Sequence, residues 1–323
     1  MDWNETPAEL ARAWAEQPVI MPGQQGDLYG IFTPPAPEAS PAGLCVVLLG
    51  RNRWWVDRLS VKGARWLATR GFACLRFDYH GYGESEGACE YLDTEKPFQE
   101  DAAAAIRFMR EEFGQQRFVL SGFCFDARTA LSAAEEEGAS IEAIVAISTP
   151  PGEKLTHVTM SKVRFFLRMP VSAKKYALNR ALRRRLYRFF PHLVSHPERA
   201  HRGVNGVLPL MPVSDSFKGH INAIVRSGVR CLFLNGSYDA ESYNFKLIER
   251  SLLAKLDPAH RALFTLETWF DKLHIAHDPQ LQRKVTERIL SWIDGLRQAP
   301  FMLPGSEPET FIRVAEVANA VRS

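Results

Sequence analysis

The hydrophobic positions fall into short runs separated by longer mixed segments. Residues 18–33, PVIMPGQQGDLYGIFT, place apolar residues on either side of a Gly-Gln-Gln-Gly-Asp turn, which predicts an opening β-hairpin. The Pro-rich PPAPEASPAG that follows is a loop. Beyond it the apolar runs LCVVLLG (44–50), FACLRFD (72–78), RFVLSG (117–122) and IEAIVAIS (141–148) read as strands. Helical patterns at 57–70, 97–113 and 125–137 alternate with them. Strands that are apolar throughout and alternate with helices predict a mostly parallel sheet covered on both faces, a doubly wound α/β domain.

The alternation stops near Pro150-Pro151 and resumes at VRCLFLNG (229–236), with a helix at 241–256, a strand at 263–269 and a helix at 279–297. The residues between are helical and loop-like, and Phe165, Phe166, Leu167, Leu182, Leu186, Phe189 and Phe190 supply an apolar face, so they read as an insertion rather than a linker. The expected organisation is a core of 1–149 and 228–323 with a helical, basic cap at 150–227. The tail from about 298 holds a Pro/Gly loop and one short helical pattern without recognisable chemistry.

Charge matters here through its distribution. Forty basic residues against 37 acidic ones leave a net charge of only +3. Between Lys154 and Arg202, however, thirteen Lys or Arg face a single acid, Glu198. Such a stretch is either a solvated basic helix face or a site for an anionic partner. The candidate partners are a small acyl substrate bearing a carboxylate, an acyl group carried on CoA or an acidic carrier protein, and an anionic membrane surface. No aromatic platform or recognition motif accompanies the charge, which argues against nucleic acid.

No apolar run approaches the roughly 20 residues of a transmembrane segment, and the start MDWNETPAEL lacks the basic-then-apolar pattern of a secretion signal, so a cytoplasmic protein is expected. The five cysteines, Cys45, Cys74, Cys89, Cys124 and Cys231, are widely spaced, with no Cys-x-x-Cys pair, and suggest neither a disulfide framework nor a zinc site. Cys45, Cys74 and Cys231 lie in predicted strands and read as small buried hydrophobes.

Cys124 differs. It stands in RFVLSGFCFDARTALSAAE (117–135), a strand, a tight turn and a helix in succession. This segment resembles the nucleophile elbow of the α/β-hydrolase superfamily, Gly-x-Ser-x-Gly, or Gly-x-Cys-x-Gly in dienelactone hydrolases; here it stands as Gly122-Phe123-Cys124-Phe125-Asp126. The sharp turn is needed to lift the nucleophile above the sheet and to aim the following N–H at the reacting carbonyl. GLCVVLLGRNRWW, the helix ARWLATRGF and LRFDYHGYGESEG are similar to the oxyanion loop and its flanking strands in serine-aminopeptidase-like α/β hydrolases. The resemblance spans 18–149 and 228–297. Asp126 replaces the second elbow glycine, a departure that resembles cysteine-bearing elbows of exosortase-associated hydrolase-like proteins and leaves open whether its carboxyl projects towards the site.

A thiol nucleophile needs a base, and the base needs a carboxylate to fix its tautomer. The superfamily's order of nucleophile, acid and base implies Cys124, then Asp239 with Glu241 in reserve, then a histidine after the last strand. Of His274 and His277, His274 is chosen because a short loop returns it over the elbow. Asp239 also has a plainer reading as a helix N-cap. The resemblance further implies an oxyanion hole built from the N–H groups of Phe125 and Arg51. Leu49 replaces a histidine common before that loop, and Arg51, Arg53 and Arg58 stand near its mouth, either as solvated surface or to meet an anionic substrate. His80, where relatives usually carry Arg, reads as structural.

The expected enzyme uses a Cys-His-Asp triad on an ester- or thioester-like acyl group, by hydrolysis or acyl transfer, and needs no cofactor. Two alternatives stay open. One is elimination or cyclisation of the kind this fold performs in polyketide and tetronate tailoring, driven by the histidine. The other is an inactive module binding an acidic partner.

Overall fold

The structure, a computed structural model, describes residues 15–53, 58–89, 97–151, 213–237, 248–249, 252–271, 273 and 278–298. Its centre is an eight-stranded sheet. In chain order the strands are β1 (Gln17–Gly23), β2 (Gly26–Thr33), β3 (Cys45–Leu48), β4 (Ala73–Phe77), β5 (Phe118–Phe123), β6 (Ile141–Ile147), β7 (Arg230–Gly236) and β8 (Phe264–Trp269). Their spatial order is β1-β2-β4-β3-β5-β6-β7-β8. β1 pairs with β2, and β2 with β4, antiparallel; every pairing from β4 through β3 to β8 is parallel. The expected mostly parallel, doubly wound sheet is therefore present.

Continuous apolar strands arise because each strand feeds two cores. Leu44 and Val46, Val119 and Phe123, and Leu232 and Leu234 pack in one cluster with Leu59 and Leu67 of α1 (Leu59–Ala68) and Val285 and Ile289 of α6 (Pro279–Gln298). Their neighbours Cys45 and Val47, Phe118 and Leu120, and Cys231 and Phe233 point the other way. There they meet α2 (Gln99–Phe113), α3 (Phe125–Glu137) and α4 (Asp215–Ser227). A short α5 (Pro258–Arg261) precedes β8.

Residues 213–227, which the sequence pattern assigns to the insertion, form α4 and the approach to it. Ser214 caps this helix, its Oγ accepting from the Phe217 N–H at 3.2 Å, and Gly228 closes it at φ +68°. Phe217, Ile221 and Ile224 form the buried stripe that lies in the α3 core. The expected basic segment, Lys154 to Arg202, lies outside the described residues, as does most of the helix expected at 241–256.

Candidate active site

Every parallel strand points its carboxyl end to one edge of the sheet, and β5 brings Cys124 there. Cys124 is the N-cap of α3 with φ 55° and ψ −117°, a conformation that a side chain adopts only under constraint. Two features impose it. The Cys124 N–H donates to the Ile147 carbonyl at the end of β6 (2.8 Å). Gly122 lets the helix fold back on the strand: a Cβ there would lie 2.4 Å from the Asp126 carbonyl carbon and 2.5 Å from its oxygen. The half-buried thiol thus sits at the start of a helix of 13 residues, where the helix dipole favours negative charge.

Asp126 occupies a place where the steric demand is borne by Gly122. Asp126 itself is buried. Burial and then the Asp126 charge push the Tyr79 phenol well above its ordinary range. The same carboxylate adds to the rise at Tyr82, which burial and the neighbouring Cys89 thiol dominate.

The oxyanion loop follows β3. The Leu49 N–H donates to the Ser121 carbonyl (2.8 Å), which carries the β3–β5 pairing up to the loop. Arg53 then turns back to Asp78, just beyond β4. Its backbone N–H donates to Oδ1 and its Nη1 to Oδ2, both at 2.5 Å, and its Nη2 reaches Glu84 at 2.5 Å. Arg51 holds its guanidinium 6.0 Å from the centre of the Tyr82 ring. His80 is tied down, with Nδ1 2.9 Å from Asp101 Oδ2 and its backbone N–H donating to the same oxygen at 2.9 Å. Burial pushes the Asp101 carboxyl up against the lowering effect of these bonds.

The five thiols divide sharply. Burial pushes Cys45, Cys74 and Cys231 far above the ordinary thiol range, whereas Cys124 and Cys89 are part-exposed. Among the described residues no group of three His, Cys, Asp or Glu could hold a metal ion, and no helix is long and apolar enough to cross a membrane.

Asp239, Glu241, His274 and His277 lie outside the described residues, but the chain on both sides of them is anchored. The Ser237 N–H donates to the Trp269 carbonyl (2.8 Å), joining the carboxyl ends of β7 and β8 two residues before Asp239. Leu273 is wholly buried in the cluster that contains Phe123, so the residue before His274 and the residue before Cys124 share one core. Asp278, after His277, receives the Gln280 N–H at 2.9 Å at the start of α6.

Sequence reasoning did not single out Asp78 or Glu84, although both lie in the run Arg76 to Ser85 that carries the resemblance. Only the structure ties Gly83 to them: it sits at φ +58°, and a Cβ there would come within 2.2 Å of Asp78 Oδ2.

Residues 40–193 match the family model for serine aminopeptidase, S33. No curated protein matches the chain in sequence. Among solved structures, the esterase Pf2001 of Pyrococcus furiosus is similar over 91% of this chain and 96% of its own, at 16% identity and a TM-score of 0.55. Proline iminopeptidase of Mycobacterium smegmatis is similar over 87% and 99%, at 13% identity and a TM-score of 0.55. XC6422 of Xanthomonas campestris, described as an α/β serine hydrolase without a lid, is similar over 90% and 97%, at 15% identity and a TM-score of 0.52. With its eight-stranded sheet, its strand–elbow–helix turn at Cys124 and these likenesses, the chain has the α/β-hydrolase fold.

Proposed function

We propose that the protein is a hydrolase of esters or thioesters that uses Cys124 as nucleophile, His274 as base and Asp239 as the carboxylate orienting it. One observation carries the reading: a non-glycine residue at φ 55° on the turn between the central strand β5 and helix α3, with a nucleophilic side chain at that position. An esterase and a peptidase among the structural relatives are consistent with acyl chemistry.

In this mechanism His274 takes the Cys124 proton, and the thiolate forms a C–S bond to the substrate carbonyl carbon. The carbonyl π pair moves to oxygen, and the oxyanion accepts hydrogen bonds from the Phe125 and Arg51 N–H groups. As the oxyanion collapses, the leaving alkoxide or thiolate departs with the proton from His274. Water then loses a proton to His274 and attacks the acyl-enzyme. Breaking the C–S bond releases the acid, and the thiolate recovers the proton. The basic segment Lys154 to Arg202, outside the described residues, would hold an anionic acyl substrate or its CoA or carrier-protein moiety.

Cys124→Ala should lower kcat/KM for p-nitrophenyl acetate by at least about a thousandfold with the fold intact. His274→Ala should do the same, with His277→Ala within a few-fold of wild type; the reverse pattern would move the base. Iodoacetamide provides an independent check, since only Cys89 competes with Cys124 in exposure. Preferential modification of Cys89, together with turnover by Cys124→Ala, would reject covalent catalysis and favour base-driven elimination.

A further inference from the structure

We propose that Asp78 and Arg53 are positioning residues that clamp the oxyanion loop. The inference rests on the hydrolase reading above and concerns what holds one of its two expected donors in place. Gly50 to Arg53 leave the sheet after β3 without regular secondary structure of their own. A donor on such a loop contributes to a transition state only if its direction is fixed before the reaction, because reorienting it during the reaction costs what the hydrogen bond gains.

Asp78 supplies that constraint. It follows β4, the parallel neighbour of β3, so it stands at the same sheet edge as the loop. Its side chain is 2% exposed and both oxygens are engaged. Oδ1 accepts the backbone N–H of Arg53, two residues after Arg51, at 2.5 Å. Oδ2 accepts Arg53 Nη1 at 2.5 Å and the Glu84 N–H at 3.1 Å. One carboxylate therefore grips the loop by its main chain and by its side chain, and is itself held by the next turn. Arg51 over the Tyr82 ring adds a second tie between the same two segments. The second segment is anchored in turn: Ser85 Oγ donates to the Asp78 carbonyl (2.6 Å) and accepts the Tyr29 N–H of β2 (2.9 Å). The missing Cβ of Gly83 leaves room for the Asp78 carboxylate.

Asp78→Asn keeps the shape but replaces one acceptor oxygen by an NH2 group, which cannot accept from Arg53 or Glu84. Two measurements test the clamp. In hydrogen–deuterium exchange, peptides covering 50–53 should exchange at least about tenfold faster in the variant while β5 and β6 peptides are unchanged. With p-nitrophenyl acetate, kcat should fall about tenfold to a hundredfold with KM within threefold, and affinity for a trifluoromethyl ketone, which binds as an oxyanion adduct, should fall by the same factor. Arg53→Gln retains the backbone bond and should give a smaller loss of the same kind; it also serves if Asp78→Asn does not fold. Unchanged exchange in the loop overturns the clamp. Faster exchange with kcat and ketone affinity within twofold of wild type overturns its role in positioning. Wild-type turnover no greater than that of Cys124→Ala rejects the hydrolase reading instead, and the exchange experiment still decides the clamp.

Discussion

Arg76 and Asp78 stand two residues apart at the end of β4, and each belongs to a charge network that joins three groups among the described residues. Arg76 and Arg65 of α1 converge on Glu16, Arg65 Nη2 at 2.8 Å and Arg76 Nη2 at 3.1 Å, with side chains at most 16% exposed. Asp78 instead shares one arginine, Arg53, with Glu84. The first network has two cations on one carboxylate and joins side chains of three separate segments: the residue before β1, α1 and β4. The second has two carboxylates on one cation and takes hold of a main-chain N–H in a loop. A network of side chains alone sets how firmly layers adhere. One that captures backbone fixes where a particular amide points, and its loss should appear in rate.

The largest effect should come from Glu16→Ala, which leaves two buried guanidinium groups facing one another. A loss of about 3 kcal/mol is expected in urea unfolding, the low end for breaking a buried pair, with kcat of the folded protein within twofold of wild type. A large fall in kcat there would erase the contrast with Asp78.

Acid should dissect the same network. Burial pushes the Glu16 carboxyl up, but the hydrogen bond from Arg65 and the charges of both arginines outweigh it and hold the group below its ordinary 4.5. A group with a lowered folded pKa contributes stability that is complete above its unfolded value and is lost as pH falls through the folded one. Stability of the wild type should therefore drop below about pH 4.5 by a component that Glu16→Ala lacks.

Gly83→Ala should be milder, about 1–2 kcal/mol for a left-handed residue, since φ is +58° and the new Cβ meets the Asp78 carboxylate. Its kcat should fall in the same direction as that of Asp78→Asn, which would sharpen the comparison. Smallest of all is Glu84→Gln: at 67% side-chain exposure its ion pair should contribute under about 0.5 kcal/mol. Turnover should stay within twofold, because the bonds from Arg53 to Asp78 remain.

The sheet was legible because parallel strands buried on both faces leave long apolar runs, and five such runs coincide with β3 to β7, with the half-buried edge strand β8 following them. The elbow was legible because Gly122 and Cys124 stand two residues apart in sequence, between a strand pattern and a helix pattern. Helix α4 carried readable signals, Ser214 as cap and an apolar stripe at 217, 221 and 224, although the insertion is bounded in sequence by where the strand–helix alternation stops and resumes. The clamp had no comparable signature. Arg53 and Asp78 are 25 residues apart, and Glu16 lies 60 from Arg76; such pairs form only after β3 and β4 align, so no local period announces them. Of the triad, the sequence suggests acid and base by chain order alone, and the anchored residues around them, Ser237, Leu273 and Asp278, have no pattern that singles them out.

Gly122 has one more consequence, for how such proteins are found. The space that an added Cβ would invade belongs to the backbone of residue 126, so the obligation to lack a side chain falls on the glycine before the nucleophile and not on the position after it. A search pattern written as Gly-x-nucleophile-x-Gly treats both glycines as equally obligatory and would pass over this chain. Relaxing only the last position admits sequences of this type at little cost in selectivity, because the strand before the turn and the helix after it still have to be present.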